Sequence, residues 1–431
     1  MRKLVLDNGV RVVMERMSVL RSVAIGLWMN VGTRDEAKGQ EGLSHFLEHM
    51  MFKGTRRRSA SQISKEIDSL GGEMNAFTTH ESTVFYVKVL DQQINQAVDL
   101  LTDLFHHSRF PPKEIEREKQ VVLEEIRTVQ DDPEDFVQEL HAHHVMRGHP
   151  LGRSILGSPS TMKRIGRRDL LEYVQARYHP NQLVVSVTGN FNTKTLLPLL
   201  NRSFGKWKPA SLKNLALPSR NPPFLRTGTF VHPKQLAQTH VCFGLPGIPV
   251  NHPSRYAAHT LNTLFGGGVS SRLFQEIREK RGLAYSIYSQ LSCFSDSGTL
   301  TIYAATGAKE LSELVDVVRR EVKKLQSRGP ASQELDRTKN QLKGTLMLGL
   351  EGTYGRMHKL AKDEISQGRS VSLKEMLSEI DKISKIQIQK CGSRPAKCGG
   401  IDHDGPRSCA QELISGLTGK ILARILKNGG F

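Results

Sequence analysis

Cysteine is scarce in this 431-residue chain, with five residues in all. Cys391, Cys398 and Cys409 crowd towards the C-terminal end without a C-x-x-C spacing, and Cys242 and Cys293 sit in apolar, strand-like surroundings. That pattern excludes a disulfide framework and a zinc ribbon, and reads Cys242 and Cys293 as buried thiols. Long apolar runs are missing too, so no segment is expected to span a bilayer. The chain enters a strand pattern at once, Leu4-Val5-Leu6, Asn8-Gly9, Val10-Arg11-Val12-Val13, which leaves no room for a leader and points to a cytoplasmic protein. Acidic residues are outnumbered, 43 against 61 Lys and Arg, for a formal net charge of +18. Such a surplus can attract phosphate backbones or anionic membranes. Here the basic residues are dispersed, as in Arg56-Arg57-Arg58, Arg167-Arg168 and Arg319-Arg320, with no aromatic-studded basic stripe and no helix-turn-helix pattern. Neither nucleic acid nor a membrane is therefore expected as a partner.

What is present is an ordinary globular composition, 38% hydrophobic and 24% charged, on a chain long enough for two or three domains. An internal repeat organises it. The first half reads as a hairpin-like start, a helix, a second helix from Ala60 to Leu70, a strand from Met74 to Thr79, a strand from Val84 to Val89 and a helix from Gln93 to Phe105. The second half follows the same logic, with a helix from Ser271 to Lys280, strands from Ala284 to Ser292 and Gly298 to Ala304, and a helix from Leu311 to Leu325. The expected fold class is α+β: two homologous domains, 1–208 and 228–389, each a mostly antiparallel sheet with helices packed on one face. Residues 209–227, rich in proline and polar groups, read as a linker. Gly266-Gly267-Gly268 lacks the Lys-Ser/Thr of a phosphate loop and reads as a turn into a capped helix.

The most informative stretch is His45-Phe46-Leu47-Glu48-His49. On a helix the two histidines fall at i and i+4 on one face, where both imidazoles can converge on one metal ion. Glu48 stands beside them and can accept a proton from a water activated there, so the H-x-x-E-H order suits hydrolysis as well as binding. A catalytic zinc usually keeps three protein ligands. The segment after Pro111-Pro112 supplies the third: its apolar stripe is Ile115, Val122, Ile126 and Val129, and helical spacing puts Glu118 and Glu125 on that stripe. Glu124 shares its side with Arg117, Gln120 and Thr128 and reads as solvated. Inward carboxylates need a cation or a tight hydrogen-bond network. Glu125 is taken as the third ligand and Glu118 as the carboxylate supporting it.

These residues, from about Leu4 to about Lys385, resemble the pitrilysin/insulinase family of zinc metallopeptidases, the inverzincins, and in particular its two-domain bacterial members, which are similar to mitochondrial processing peptidase. The resemblance implies one zinc per chain held by His45, His49 and Glu125, with Glu48 as general base and Glu118 seven positions before the distal ligand. It implies that the second half is a domain without metal, whose Arg278 and Tyr285, seven residues apart, act on the substrate. It also implies that Asn75, Ala76 and Phe77, on the strand from Met74 to Thr79, bind an extended peptide. The residues alone leave Arg278 as a surface helix residue, Tyr285 as a half-buried strand residue and Asn75 as a turn former. His80, Glu81, His141, His143 and His144 read as solvated, since no further ligands stand at a recognisable spacing.

The expected function is a zinc-dependent metalloendopeptidase acting on peptides or unfolded segments, the rival being a structural or assembly subunit that keeps the fold without turnover. A two-domain chain is expected to work as a homodimer or paired with a related chain. One region breaks the repeat. The first half closes with the buried strand Leu183 to Asn190, yet after Lys385 the stretch Cys391 to Cys409 is rich in Gly, Pro, Arg and Cys, and Glu412 to Lys427 has the spacing of an amphipathic helix. Residues 390–431 are therefore expected to be an atypical tail outside the fold.

Overall fold

The computed structural model describes residues 1–208 and 220–390 with their side chains, apart from that of Lys390, and the backbone of 422–427. Part of the expected linker, 209–219, and the segment 391–421 with its three cysteines lie outside the described residues. Two compact units form: Met1–Thr128, Arg153–Ser219 and Leu348–Ser370 make the first, and Val129–Gly152, Arg220–Met347 and Val371–Phe431 the second.

In the first unit, β1 (Arg2–Val5), β2 (Arg11–Arg16), β3 (Ser22–Met29), β4 (Glu73–Thr78), β5 (Thr83–Leu90) and β6 (Leu183–Gly189) form a six-stranded sheet in the order β1-β2-β6-β3-β5-β4. All pairs are antiparallel except β2 with β6. In the second, β7 (Phe230–Pro233), β8 (Thr239–Pro246), β9 (Ala284–Cys293), β10 (Gly298–Thr306) and β11 (Leu422–Lys427) are ordered β7-β11-β8-β10-β9. Here too one pair is parallel, β11 with β7. The strand inserted between the first strands of each sheet is the last one of that half of the chain, so the repeat closes. This corrects the reading of the tail: 422–427, expected to end a helix outside the fold, are a strand inside the second sheet. Leu417, Ile421, Leu422, Ile425 and Leu426 do carry helical spacing. Backbone pairing available on both sides, with β7 and with β8, overrides that local preference.

The α-helices among the described residues are α1 (Leu43–Met51), α2 (Ala60–Ser69), α3 (Ile94–His107), α4 (Pro112–Asp131), α5 (Pro133–Val145), α6 (Pro159–Arg164), α7 (Arg167–Arg177), α8 (Thr193–Phe204), α9 (Arg255–Gly266), α10 (Leu311–Arg328), α11 (Ser332–Gly349), α12 (Thr353–Gln367), α13 (Leu373–Asp381) and α14 (Lys385–Lys390). Strand alternation divides the core. On β3, Val23, Ile25, Leu27 and Met29 join Phe46 and Leu47 of α1 and Val122 of α4 in the main core. The alternate residues Ala24 and Trp28 instead pack with Met357, Leu360 and Ala361 of α12. The second sheet repeats this: Leu300, Ile302 and Ala304 of β10 face α9 and α10, while Tyr303, Ala305 and Cys242 meet Val137 of α5. Each sheet thus gains a helix on its second face, and that helix comes from the other half of the sequence. With both faces covered, β3 and β6 are buried almost throughout and read as continuous apolar runs.

Two glycines mark where these exchanged helices approach. A Cβ on Gly26 of β3 would fall 2.3 Å from Met357 Sδ and 2.7 Å from Trp28 Nε1. One on Gly244 of β8 would fall 2.4 Å from the His141 ring of α5. A side chain at either position would hold the helix off the sheet.

Candidate metal centre

The start of α1 is anchored before its histidines appear. Gly42 stands at φ 93°, and the buried Glu36 carboxylate accepts the backbone N–H groups of Gly42 at 3.0 Å and Ser44 at 2.6 Å. Burial pushes the Glu36 carboxyl up to about 8. Ser44 shares a 2.8 Å hydrogen bond with Tyr173 of α7. Phe46, Leu47 and Met50 drive the apolar face of α1 into the core, which turns His45, Glu48 and His49 towards α4 and β4.

His45, His49 and Glu125 come together there, with one ligand atom from each within 4.8 Å of the others. Glu125 Oε2 lies 3.7 Å from His45 Nε2 and 3.6 Å from His49 Nε2. Two atoms bound to one zinc at about 2 Å each sit roughly 3.3–4 Å apart, so this spacing suits a shared ion. Glu125 Oε2 is buried with no hydrogen-bond partner among the described residues, as is His45 Nδ1. An orphaned carboxylate oxygen between two imidazole nitrogens is the donor set zinc takes, and three protein ligands leave a position for water or substrate. Burial, and the neighbouring His49, hold His45 down to about 4, so its ring is neutral as a ligand must be.

Glu48 Oε2 accepts the hydroxyl of Thr78 on β4 at 2.5 Å, and burial raises its carboxyl above the ordinary range. Glu118, with only 4% of its side chain exposed, meets His49 Nδ1 at 3.3 Å and the Lys53 ammonium at 2.8 Å. It supports a histidine rather than Glu125. Glu124 points to solvent, 68% exposed, and pairs with Arg127. Lys53, Thr78 and Glu36 carry no sequence signal: each acts through a partner distant in the chain.

β4 ends the sheet, so one side of its backbone has no strand partner among the described residues. Met74 and Ala76 pack on the main core, on the face of α1. Phe77 turns the other way and stacks on His358 of α12 at 5.3 Å, while the exposed Asn75 accepts the Ala76 N–H on Oδ1. In the second unit Arg278 lies in a π-helical turn, Phe274–Glu279, its guanidinium 4.3 Å from the Tyr285 ring centre and 4.8 Å from that of Phe274. Tyr285 is 72% exposed. Four of the residues read as solvated are corrected: His80 Nε2 sits 3.2 Å from the Arg153 carbonyl, Glu81 pairs with Arg34 at 2.7 Å, and His141 is buried. His144 stacks on Phe230, whereas His143 is exposed as expected, its Nδ1 3.3 Å from the Gly152 carbonyl. The apolar helix faces and tight loops that carry His80, Glu81, His141 and His144 are what draw those four inward.

Fold and cluster together define a two-domain protein with an inverted His-x-x-Glu-His motif and a candidate metal centre in its first half. The chain belongs to the insulinase family, peptidase family M16: residues 11–159 match the insulinase model and 164–342 the model for the family's inactive domain. It is 40% identical over 382 residues to the uncharacterized zinc protease YmxG of Bacillus subtilis, covering 89% of this chain and 92% of that one. It is 36% identical to an uncharacterized zinc protease of Streptomyces coelicolor, with 92% and 88% covered. A protease structure from Helicobacter pylori superposes at a TM-score of 0.86 with 21% identity, covering 99% of each chain, which bears on the fold alone. Among the described residues no helix is long and apolar enough to cross a membrane.

Proposed function

We propose that this protein is a zinc-dependent endopeptidase that cuts peptides or unfolded protein segments, holding one zinc per chain on His45, His49 and Glu125. The observation that carries the reading is Glu125 Oε2, buried without a hydrogen bond and 3.6–3.7 Å from both imidazole nitrogens. Bound zinc would polarise the scissile carbonyl and acidify water. Glu48 then takes the proton of the attacking water and returns it to the leaving amine nitrogen, its raised proton affinity suiting both transfers. Thr78 donates to one Glu48 oxygen and leaves the other for that proton. The free edge of β4 receives the substrate as an added strand through the backbone of Asn75, Ala76 and Phe77, which favours extended chains with little regard to sequence.

Arg278 and Tyr285 belong to this reading as donors to the developing oxyanion and the substrate backbone. The chain works as a pair, a second copy or a related chain completing the enclosure of the peptide. Mixing an inactive Glu48→Gln chain with an inactive Tyr285→Phe chain tests both points: recovered activity means the two halves meet across the pair.

The central test is metal analysis beside cleavage of an unstructured peptide with and without chelator. One zinc per chain and cleavage that chelator abolishes and zinc restores are expected. Glu48→Gln should keep the zinc and lose cleavage, and substantial turnover by that variant counts against Glu48 as the base.

A further inference from the structure

Beside the metal centre, at the far end of α1, the first unit has an open cleft of about 990 Å³ walled by residues 53–62, by Arg109, by 111–114 and by Arg167. Its charged lining residues are all basic except Glu114, and the rest of the wall is small, polar or proline. Arg57 and Arg58 are neutralised, paired with Asp99 and Asp103 at 2.7–3.0 Å, and Lys53 is held by Glu118. The one acidic lining residue, Glu114, bonds Arg117 at 3.1 Å. That leaves Arg56, Arg109 and Lys113, exposed and without an ion-pair partner among the described residues, and Arg167, whose Nε donates only to the Arg109 carbonyl at 3.3 Å. Four uncompensated cations from three separate segments converge on one concavity, at a cost in mutual repulsion that a bound anion relieves.

We propose that this cleft binds a compact polyphosphate anion. The chemistry follows from the walls. Guanidinium forks from three directions suit phosphate oxygens, which accept paired hydrogen bonds from arginine. No aromatic side chain lines the cleft to stack a nucleobase, which disfavours single-stranded nucleic acid. The lining is a concavity rather than a strand edge, which disfavours an extended acidic peptide. The site is distinct from the metal centre, yet linked to it, because Lys53 at its inner end touches the same Glu118 that meets His49.

The test is calorimetric titration of the full zinc-loaded chain with inorganic tripolyphosphate at low and moderate salt. Saturable binding that weakens with salt is expected, falling at least about tenfold in an Arg56→Glu, Arg109→Glu, Lys113→Glu chain. A control with the same charge change on α10, Arg319→Glu, Arg320→Glu, Lys323→Glu, should bind within about twofold of the parent, because α10 takes no part in the cleft. A cleft variant that binds as the parent does overturns the proposal, since the remaining heat would come from chelation at the metal centre or from charge spread over the surface. Equal loss in both variants overturns it too. Displacement by a single-stranded oligonucleotide or by an acidic peptide at matched charge would assign the cleft to a different ligand.

Discussion

Thr78 and Glu48 stand thirty residues apart in sequence and share a 2.5 Å hydrogen bond, so the strand offered to substrate also orients the proposed general base. Removing the hydroxyl while keeping the shape isolates that link. Thr78→Val should retain zinc and lower peptide turnover about tenfold or more, since a hydrogen bond to a charged group is worth roughly 1.5–3 kcal/mol. Zinc content and kcat measured together check it, and unchanged kcat would show that Glu48 needs no such guide.

Glu125 and Glu124 are neighbours in sequence with opposite fates. Glu125→Gln should lose zinc, whereas Glu124→Gln should keep it, because Glu124 meets only Arg127 and solvent. Glu118→Gln should fall between them, weakening zinc by roughly ten- to a hundredfold through His49. Equal zinc in the Glu125 and Glu124 variants would sink the ligand assignment.

Gly26 is a packing requirement of α12. Gly26→Ala should destabilise the fold by about 1–3 kcal/mol through overpacking against Met357. Adding Met357→Ala to that variant should cost less than Met357→Ala costs in the parent, where a cavity is worth roughly 2–5 kcal/mol. Denaturant unfolding of the four chains gives the coupling, and strict additivity would mean that the two residues do not compete for space.

His358 ties stability to acid. Its ring is wedged between Phe77 and Trp28, Nε2 is buried without a hydrogen bond, and burial, aided by the Lys362 charge, pushes it down to about 4. An unfolded chain takes up that proton near pH 6.5. The folded chain binds it only near 4, so this contribution to stability is complete above about 6.5 and is lost as pH falls through that window. His358→Phe should therefore show a smaller drop in Tm between pH 7 and pH 4.5 than the parent, and an identical drop would exclude His358 as a source of acid sensitivity.

Much of this protein is legible along the chain because its chemistry depends on short spacings. His45, Glu48 and His49 share one helix face by periodicity alone, and the stripe that buries Val122 and Ile126 also sorts Glu125 and Glu118 from Glu124. The α+β repeat is visible because its strands and helices recur in the same order. Contacts between distant segments follow different rules. Lys53 reaches Glu118, Thr78 reaches Glu48 and Glu36 caps α1 only once sheet and helices have packed, and none has a spacing that announces it. The same holds for α5 and α12, whose apolar faces say that they are buried but not against which sheet. It holds most plainly for Leu422–Lys427, where helical spacing is overruled by hydrogen bonding to β7 and β8 on either side. Local periodicity decides which face of an element is apolar, and tertiary structure decides which partner satisfies its backbone and fills its grooves.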